Sequence, residues 1–287
     1  LLQSNLSFAE RLDIQIERVV REALEEDLNQ AGDVTSKAVI DPGTSVHVEL
    51  LAKSPGVIAG LPVAARVFGY LDAEVEFMPL VYDGERVDAG TRIAEATGSA
   101  VAILAAERTA LNFLQHLSGI ATETARYIAE ISQYEVELLD TRKTTPGLRY
   151  LEKYAAMVGG AVNHRFGLFD QILIKDNHIN IAGDIGKAVC RARDAYPNLK
   201  VEVETESLAQ VAAAAEADAD IILLDNMDTA MLAEAVRIIN GRAITEASGG
   251  ITLATIKAVA ATGVDRISSG AITQAAKPLD ISLEVIR

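Results

Sequence analysis

The second half of the chain repeats one unit, and this limits the available folds more than any other feature. Each unit is an apolar run ending in polar residues, followed by an Ala-rich amphipathic stretch. The runs are Val136–Asp140, Gln171–Lys175, Val201–Glu204, Ile221–Asp225, Ala243–Ala247 and Arg266–Ser269, with ends about 20–35 residues apart. Leu208–Ala217, Ala230–Ile239 and Leu253–Ala261 fill gaps between them with helical spacing. Alternation at this pitch predicts parallel strands joined by right-handed crossovers. Near-continuous apolar strands fit, because a parallel sheet is covered on both faces. Six such units are fewer than the eight of a closed β/α barrel. An incomplete or distorted barrel is expected.

The first part of the chain has a different rhythm. Ser7-Phe8-Ala9-Glu10 is a capping box, and Leu12, Ile16, Val19, Val20, Ala23 and Leu24 follow at near-helical spacing. Short β-like runs broken by Gly and Pro come next: Val46–Ala52, Gly56–Gly60, Val75–Met78 and Arg92–Glu95. Asp83–Gly90 has the turn-rich look of a biotinyl or lipoyl carrier, but no Lys sits on a tight hairpin there, so a structural sandwich is the reading. Ala100–Ser132 is helical, and Lys277–Arg287 alternates like a strand returning to the N-terminal part. The expected organisation is α/β. Residues 1–116, joined by 276–287, form an N-terminal open α/β sandwich; residues 117–275 form the β/α barrel that carries catalysis.

Charge narrows the partners. The net charge is −15, which argues against a general nucleic-acid-binding surface. No apolar run reaches the roughly 20 residues that span a bilayer, and no signal or transit pattern is visible. A soluble cytoplasmic protein with neither nucleic-acid nor membrane partners is expected. Cys190 is the single cysteine, so disulfides and Cys-based zinc sites within one chain are excluded.

In such barrels chemistry collects at the C-terminal ends of the strands. Those ends carry Asp140-Thr141-Arg142-Lys143, Lys175-Asp176-Asn177-His178, Glu204 with Glu206, Asp225-Asn226, Glu246 with Ser248-Gly249-Gly250, and Ser268-Ser269-Gly270. Asn163-His164-Arg165 lies between the first two. One mouth would then hold Arg142, Lys143, Arg165, Lys175 and His164. Any one of these could be an ordinary solvated charge, but a shared register placing all of them together calls for a polyanionic ligand. The Gly-containing loops at Ser248–Gly250 and Ser268–Gly270 could be plain turns or could present backbone N–H groups to a phosphate. Glu204 and Asp225 have two readings: pairing with Lys175, or holding Mg²⁺ directly or through water. His47 and His116 read as structural, and His178 as orienting a loop.

Several of these segments resemble one family closely. They are Glu107-Arg108-Thr109-Ala110-Leu111-Asn112, Asp140-Thr141-Arg142-Lys143-Thr144-Thr145-Pro146-Gly147-Leu148-Arg149, Asn163-His164-Arg165 and Leu173-Ile174-Lys175-Asp176-Asn177-His178. Val201-Glu202-Val203-Glu204, Leu224-Asp225-Asn226 and Ser268-Ser269-Gly270-Ala271-Ile272-Thr273 belong to the same set. In this order they resemble quinolinate phosphoribosyltransferase, also called nicotinate-nucleotide pyrophosphorylase (carboxylating). The resemblance runs from about Glu26 to the C-terminus. It implies an N-terminal open sandwich, a barrel of about seven strands, and a homodimer in which Arg108 reaches the neighbouring site; a hexamer stays open. It also implies a reaction of quinolinate with phosphoribosyl pyrophosphate, giving nicotinate mononucleotide, pyrophosphate and CO₂, as in de novo NAD biosynthesis.

The residues then take roles. Arg108, Arg142, His164, Arg165 and Lys175 would hold the carboxylates of quinolinate. Lys143 would lie near the ribose and pyrophosphate, and Thr141 is a further substrate-binding candidate. Glu204 and Asp225 would position Mg²⁺ and the ribose hydroxyls, and Ser248, Gly249, Gly250, Ser268, Ser269 and Gly270 would receive the monophosphate. Lys143, Lys175, Glu204 and Asp225 are the candidates nearest the chemistry. One departure stands out: Gln274 occupies a place where the family often has Lys or His. Competing readings are a relative from the molybdenum-transport-associated branch, a Schiff-base lyase using Lys175, and a non-catalytic sensor of phosphate ligands.

Overall fold

The computed structural model describes residues 6–286; residues 1–5 and 287 of the expected terminal stretches lie outside this range. The chain separates into two compact units. One comprises the chain up to Ala125, Thr145–Gly159 and the chain from Ala276 onward; the other comprises Arg126–Thr144 and Gly160–Ala275. The expected split after residue 116 differs in two places. The boundary falls inside the long helix Ala100–Ile131, and Thr145–Gly159 groups with the first unit instead of the barrel. The reason is local packing: helix Arg149–Val158 lies against the N-terminal helix Phe8–Leu28.

In the first unit, Ser7 and Glu10 close the capping box: Glu10 N donates to Ser7 Oγ at 3.3 Å, and Ser7 N donates to Glu10 Oε2 at 2.7 Å. The helix they start buries Ile16, Val19, Val20 and Leu24. The strands are β1 (Ser45–Ala52), β2 (Gly56–Val57), β3 (Glu76–Pro79), β4 (Arg86–Val87) and β5 (Arg92–Ser99). A short helix, Val34–Val39, and a longer one, Leu61–Leu71, had no clear sequence signal. The second truncates the expected run Gly56–Gly60, because Gly60 turns the chain at φ 103° and Pro62 favours the first helical turn. The terminal strand Ile281–Ile286 returns to pair antiparallel with β1, His47 opposite Ile286 and Ala52 opposite Ile281. β1 alternates, with Val48, Leu50 and Ala52 buried and His47 and Glu49 on the other face. Helix Ala100–Ile131 covers the buried face, where Leu111 and Leu114 join Leu50, Ile58, Ile93 and Ile281 in one cluster. Burying each such side chain contributes about 1.5–3 kcal/mol.

The second unit contains β6 (Glu137–Leu139), β7 (Ile172–Ile174), β8 (Val201–Thr205), β9 (Ile221–Asp225), β10 (Ile244–Ser248) and β11 (Arg266–Ser268), leaving the terminal strand as β12. They form one parallel sheet in the order β6-β11-β10-β9-β8-β7. About seven strands were expected. Among the described residues six are formed, and a further segment is reduced to a single parallel bridge, Leu139 with Val162. That segment follows the pair Gly159-Gly160, and Gly160 sits at φ 106°, so little extended chain precedes His164. The result is an α/β fold with an N-terminal sandwich and a parallel six-stranded sheet resembling an incomplete barrel. The crossover helices Ile185–Ala195, Leu208–Glu216 and Thr229–Ile239 are each capped by a side chain, from Asp184, Ser207 and Asp228. Among the described residues no helix is long and apolar enough to cross a membrane.

Candidate active site

The C-terminal ends of the parallel strands surround a cavity of about 560 Å³. Every residue given a substrate or metal role from the sequence lines it except Arg108: Thr141, Arg142, Lys143, His164, Arg165, Lys175, Glu204, Asp225, Ser248, Gly249, Gly250, Ser268, Ser269 and Gly270. Gln274, the departure from the family pattern, is in the wall as well. The strand-end rule explains most of the convergence; His164 and Arg165 arrive instead from the segment that keeps only the Leu139–Val162 bridge.

The charges do not balance within the cavity. Arg142, Lys143, Arg165 and Lys175 face it with two carboxylates, Glu204 and Asp225. Glu204 is engaged by the Lys175 ammonium, and Asp225 Oδ2 accepts from Asn226 Nδ2 at 2.7 Å. Among the described residues no carboxylate lies within ion-pairing distance of Arg142 or Lys143. Burial, and then repulsion from Arg142, pull Arg165 below the ordinary guanidinium range, against weaker attraction from Glu202, Asp170 and Glu204. A wall that strains its own arginine in this way favours an anion between the cations.

The glycines have steric reasons to be there. A Cβ on Gly270 would stand 2.7 Å from Lys143 Cδ, and one on Gly249, at φ +88°, would stand 2.8 Å from the Asn226 backbone nitrogen. Thr273 Oγ1 donates to the Lys143 carbonyl at 2.8 Å. These contacts set the course of the loops whatever the loops bind.

Below the cavity lies a layer that the sequence reading did not anticipate as a group. Glu202 and Glu246 are fully buried on β8 and β10. His164 Nε2 is 3.2 Å from Glu202 Oε2 and 3.3 Å from Glu246 Oε1, and neither oxygen of Glu246 has a well-directed hydrogen bond. Burial pushes His164 down, but the two carboxylates outweigh it and lift the ring to about 10. Burial and Glu246 together push Glu202 up, against His164 and Arg165. The Arg165 backbone N–H pulls the other way on the ring. It donates to His164 Nδ1 at 2.7 Å, which requires a lone pair on that nitrogen. We therefore assign the extra proton to the cluster as a whole: while the Arg165 bond is made, the ring is the Nε2–H tautomer and a carboxylate carries the proton. Both nitrogens of His164 are then engaged by protein. One clue to this layer was available, since Glu202 lies two residues before Glu204 on the same side of β8.

Other expectations have clear positions. Lys175 N donates to His178 Nδ1 at 2.9 Å, so His178 fastens the turn after β7. His116 pairs with buried Glu152 at 2.9 Å. Arg108 lines a separate cavity of about 440 Å³ in the first unit, with Glu26, Asp27, Asn112 and His116. Among the described residues, two His/Glu clusters have atoms close enough to hold a divalent cation: His164–Glu202–Glu246, and His47–Glu49–Glu95 on the antiparallel sheet. In the second, Arg92 already engages both carboxylates, at 3.1 and 3.2 Å.

Two family models cover most of the chain. The model described as quinolinate phosphoribosyl transferase, N-terminal domain, matches residues 33–118, and that of the C-terminal domain matches residues 120–284. The chain belongs to the quinolinate phosphoribosyltransferase family. A probable nicotinate-nucleotide pyrophosphorylase (carboxylating) from Synechocystis is 49% identical over 241 residues, covering 83% of this chain and 82% of the relative. The Bacillus subtilis counterpart is 42% identical and covers 95% of this chain and 94% of its own length. Among solved structures, the nicotinate-nucleotide pyrophosphorylase of Francisella tularensis superposes with a TM-score of 0.92 at 43% identity, covering 96% of this chain and 97% of that one. In this member of the quinolinate phosphoribosyltransferase family, the segments that carry the likeness each contribute residues to the cationic cavity, apart from Glu107–Asn112, which lines the cavity of the first unit.

Proposed function

We propose that this chain transfers the phosphoribosyl group of phosphoribosyl pyrophosphate to quinolinate and decarboxylates the product, yielding nicotinate mononucleotide, pyrophosphate and CO₂ for NAD biosynthesis. It is an enzyme of the phosphoribosyl-transfer class. The observation that carries the reading is the cavity's excess of cations, four against two carboxylates, in a chain of net charge −15. Quinolinate brings two carboxylates and the donor brings a monophosphate and a pyrophosphate. Arg142 and Arg165 suit forked binding of carboxylates, while Lys143 and Lys175 act as point charges.

The pyridine nitrogen attacks the anomeric carbon of the ribose while the bond from that carbon to the pyrophosphate oxygen breaks. Positive charge builds on the sugar and negative charge on the leaving group, so holding both in line against fixed cations supplies the acceleration. No protein nucleophile is required. The nitrogen is then cationic, and the C2 carboxylate leaves as CO₂ with its bonding electron pair remaining on the ring carbon. That pair takes up a proton. Lys143 is assigned to the ribose and pyrophosphate side, with Thr141 beside it. Ser248, Gly249, Gly250, Ser268, Ser269 and Gly270 are assigned to the monophosphate. Gln274 offers an amide N–H there in place of a charge.

Glu204 and Asp225 suit Mg²⁺. Each has one carboxylate oxygen engaged, by Lys175 and Asn226 respectively, which leaves one hard oxygen apiece for an ion that also keeps water and substrate ligands. Bound there, the ion would neutralise charge on the departing pyrophosphate. Arg108, outside this cavity, is assigned to the neighbouring subunit's site in a homodimer. The test is release of CO₂ from carboxyl-labelled quinolinate. Release is expected only when phosphoribosyl pyrophosphate is present; equal release without the donor, or none with it, would overturn the reading.

A further inference from the structure

Four residues at the base of the cavity close a ring of three hydrogen bonds and one histidine–carboxylate contact. His164 Nε2 lies 3.2 Å from Glu202 Oε2. The same Oε2 accepts from Gln171 Nε2 at 2.6 Å. The Gln171 backbone carbonyl accepts from Arg165 Nη1 at 3.2 Å, and the Arg165 backbone N–H returns to His164 Nδ1 at 2.7 Å. Buried Asp140 anchors the ring, its Oδ1 accepting from the His164 backbone N–H at 2.9 Å. Glu246, also buried, stands on the other side of Nε2.

The ring has a consequence for Arg165. Its guanidinium is otherwise held weakly: it repels Arg142 and has no ion pair within 4 Å among the described residues. A long side chain under such repulsion would swing to solvent unless its backbone and one guanidinium nitrogen were both tied down. Glu202 and Gln171 supply that tie without facing the ligand space themselves, since neither lines the cavity.

We propose that Glu202 and Gln171 are positioning residues for Arg165, closing a buried ring through His164 that holds the guanidinium ready for a carboxylate of the substrate. The proposal rests on Arg165 meeting quinolinate, as proposed above. His164 then acts behind Arg165 instead of contacting the ligand through a ring nitrogen.

The decisive variants are Gln171→Ala, which removes one donor from the ring, and Glu202→Gln, which keeps an acceptor oxygen in the same shape. In Gln171→Ala the KM for quinolinate is expected to rise about tenfold, the scale of one charge-assisted hydrogen bond transmitted in part. The KM for phosphoribosyl pyrophosphate and the unfolding temperature should stay near the wild-type values. Glu202→Gln should fall between wild type and Glu202→Ala. An unchanged quinolinate KM in Gln171→Ala, or a parallel rise in both KM values, overturns the proposal, because a general loosening of the fold would affect both substrates. A second measurement needs no turnover: a crystal structure of the substrate-free Gln171→Ala chain, where Arg165 should leave the carbonyl of residue 171. An unmoved Arg165 sinks the ring even if the enzyme is active. Absence of CO₂ release by the wild type, with Arg165 displaced in the variant, would instead remove the functional reading and leave the ring standing.

Discussion

The two larger sheets use the same charged residue types in opposite ways. On the antiparallel sheet, charges are settled across neighbouring strands. Glu49 and Glu95 stand directly opposite each other, a destabilising like-charge pair, and Arg92 bridges both at 3.1 and 3.2 Å. Lys53 pairs with Glu284 of β12 at 2.8 Å. At the C-terminal end of the parallel sheet, Arg142 and Lys143 face a cavity with no carboxylate partner among the described residues, and the nearby acids are engaged by Lys175, hydrogen-bonded to Asn226 or buried around His164. The first arrangement completes itself within the chain. The second leaves cations over for an anion, and the proposed site rests on that surplus.

Variants that remove one charge from each sheet sharpen this contrast. Arg142→Ala should cost the most, about 100-fold in kcat/KM for quinolinate, with the unfolding temperature unchanged or higher once Arg165 loses its repulsive neighbour. A fall in stability with normal kinetics would reverse the assignment of the two regions.

Arg108→Ala should lower quinolinate use by roughly 10- to 100-fold although Arg108 is absent from the cavity wall. Mixing and refolding it with Arg142→Ala should restore up to about a quarter of wild-type activity, because half the dimers then contain one intact shared site. No recovery on mixing would remove the borrowed arginine.

A smaller effect is expected from pH. The buried cluster binds its extra proton more tightly in the folded chain, with His164 raised to about 10 against an unfolded imidazole near 6.5. Its stabilisation is therefore complete below about pH 6.5 and is lost as pH rises through about 10. The unfolding temperature should decline across that window, and Glu246→Gln should flatten the decline. An identical slope in the variant would show that the cluster is not responsible.

Arg92→Ala should matter least. Exposed pairs contribute about 0–1 kcal/mol, so a small loss of stability and unaltered turnover are expected by thermal unfolding and steady-state kinetics. A loss of activity comparable to that of Arg142→Ala would break the contrast between the sheets.

Much of the cavity wall proposed as the site was legible because two rules act together. Apolar runs at a β/α pitch locate the strands, and the strand-end rule then collects Thr141–Lys143, Lys175, Glu204, Asp225 and the Gly-containing loops into one wall. The buried layer was less legible. Glu202 and Glu246 sit in apolar strands and are held by His164, whose position depends on a segment reduced to one bridge. No local pattern pairs residues so distant in sequence. Helix Leu61–Leu71 was missed for a different reason: it lies between short β-like runs, with no side-chain cap at Gly60 to mark its start. The grouping of Thr145–Gly159 with the first unit likewise depends on packing of its helix against Phe8–Leu28, which strand periodicity does not report.

The most direct measurement is a crystal structure of the chain with quinolinate and an unreactive analogue of the phosphoribosyl donor. The pyridine diacid should lie in the parallel-sheet cavity with its carboxylates on Arg142, Arg165 and Lys175. Quinolinate bound elsewhere, with those three side chains still turned to open water, would contradict the account.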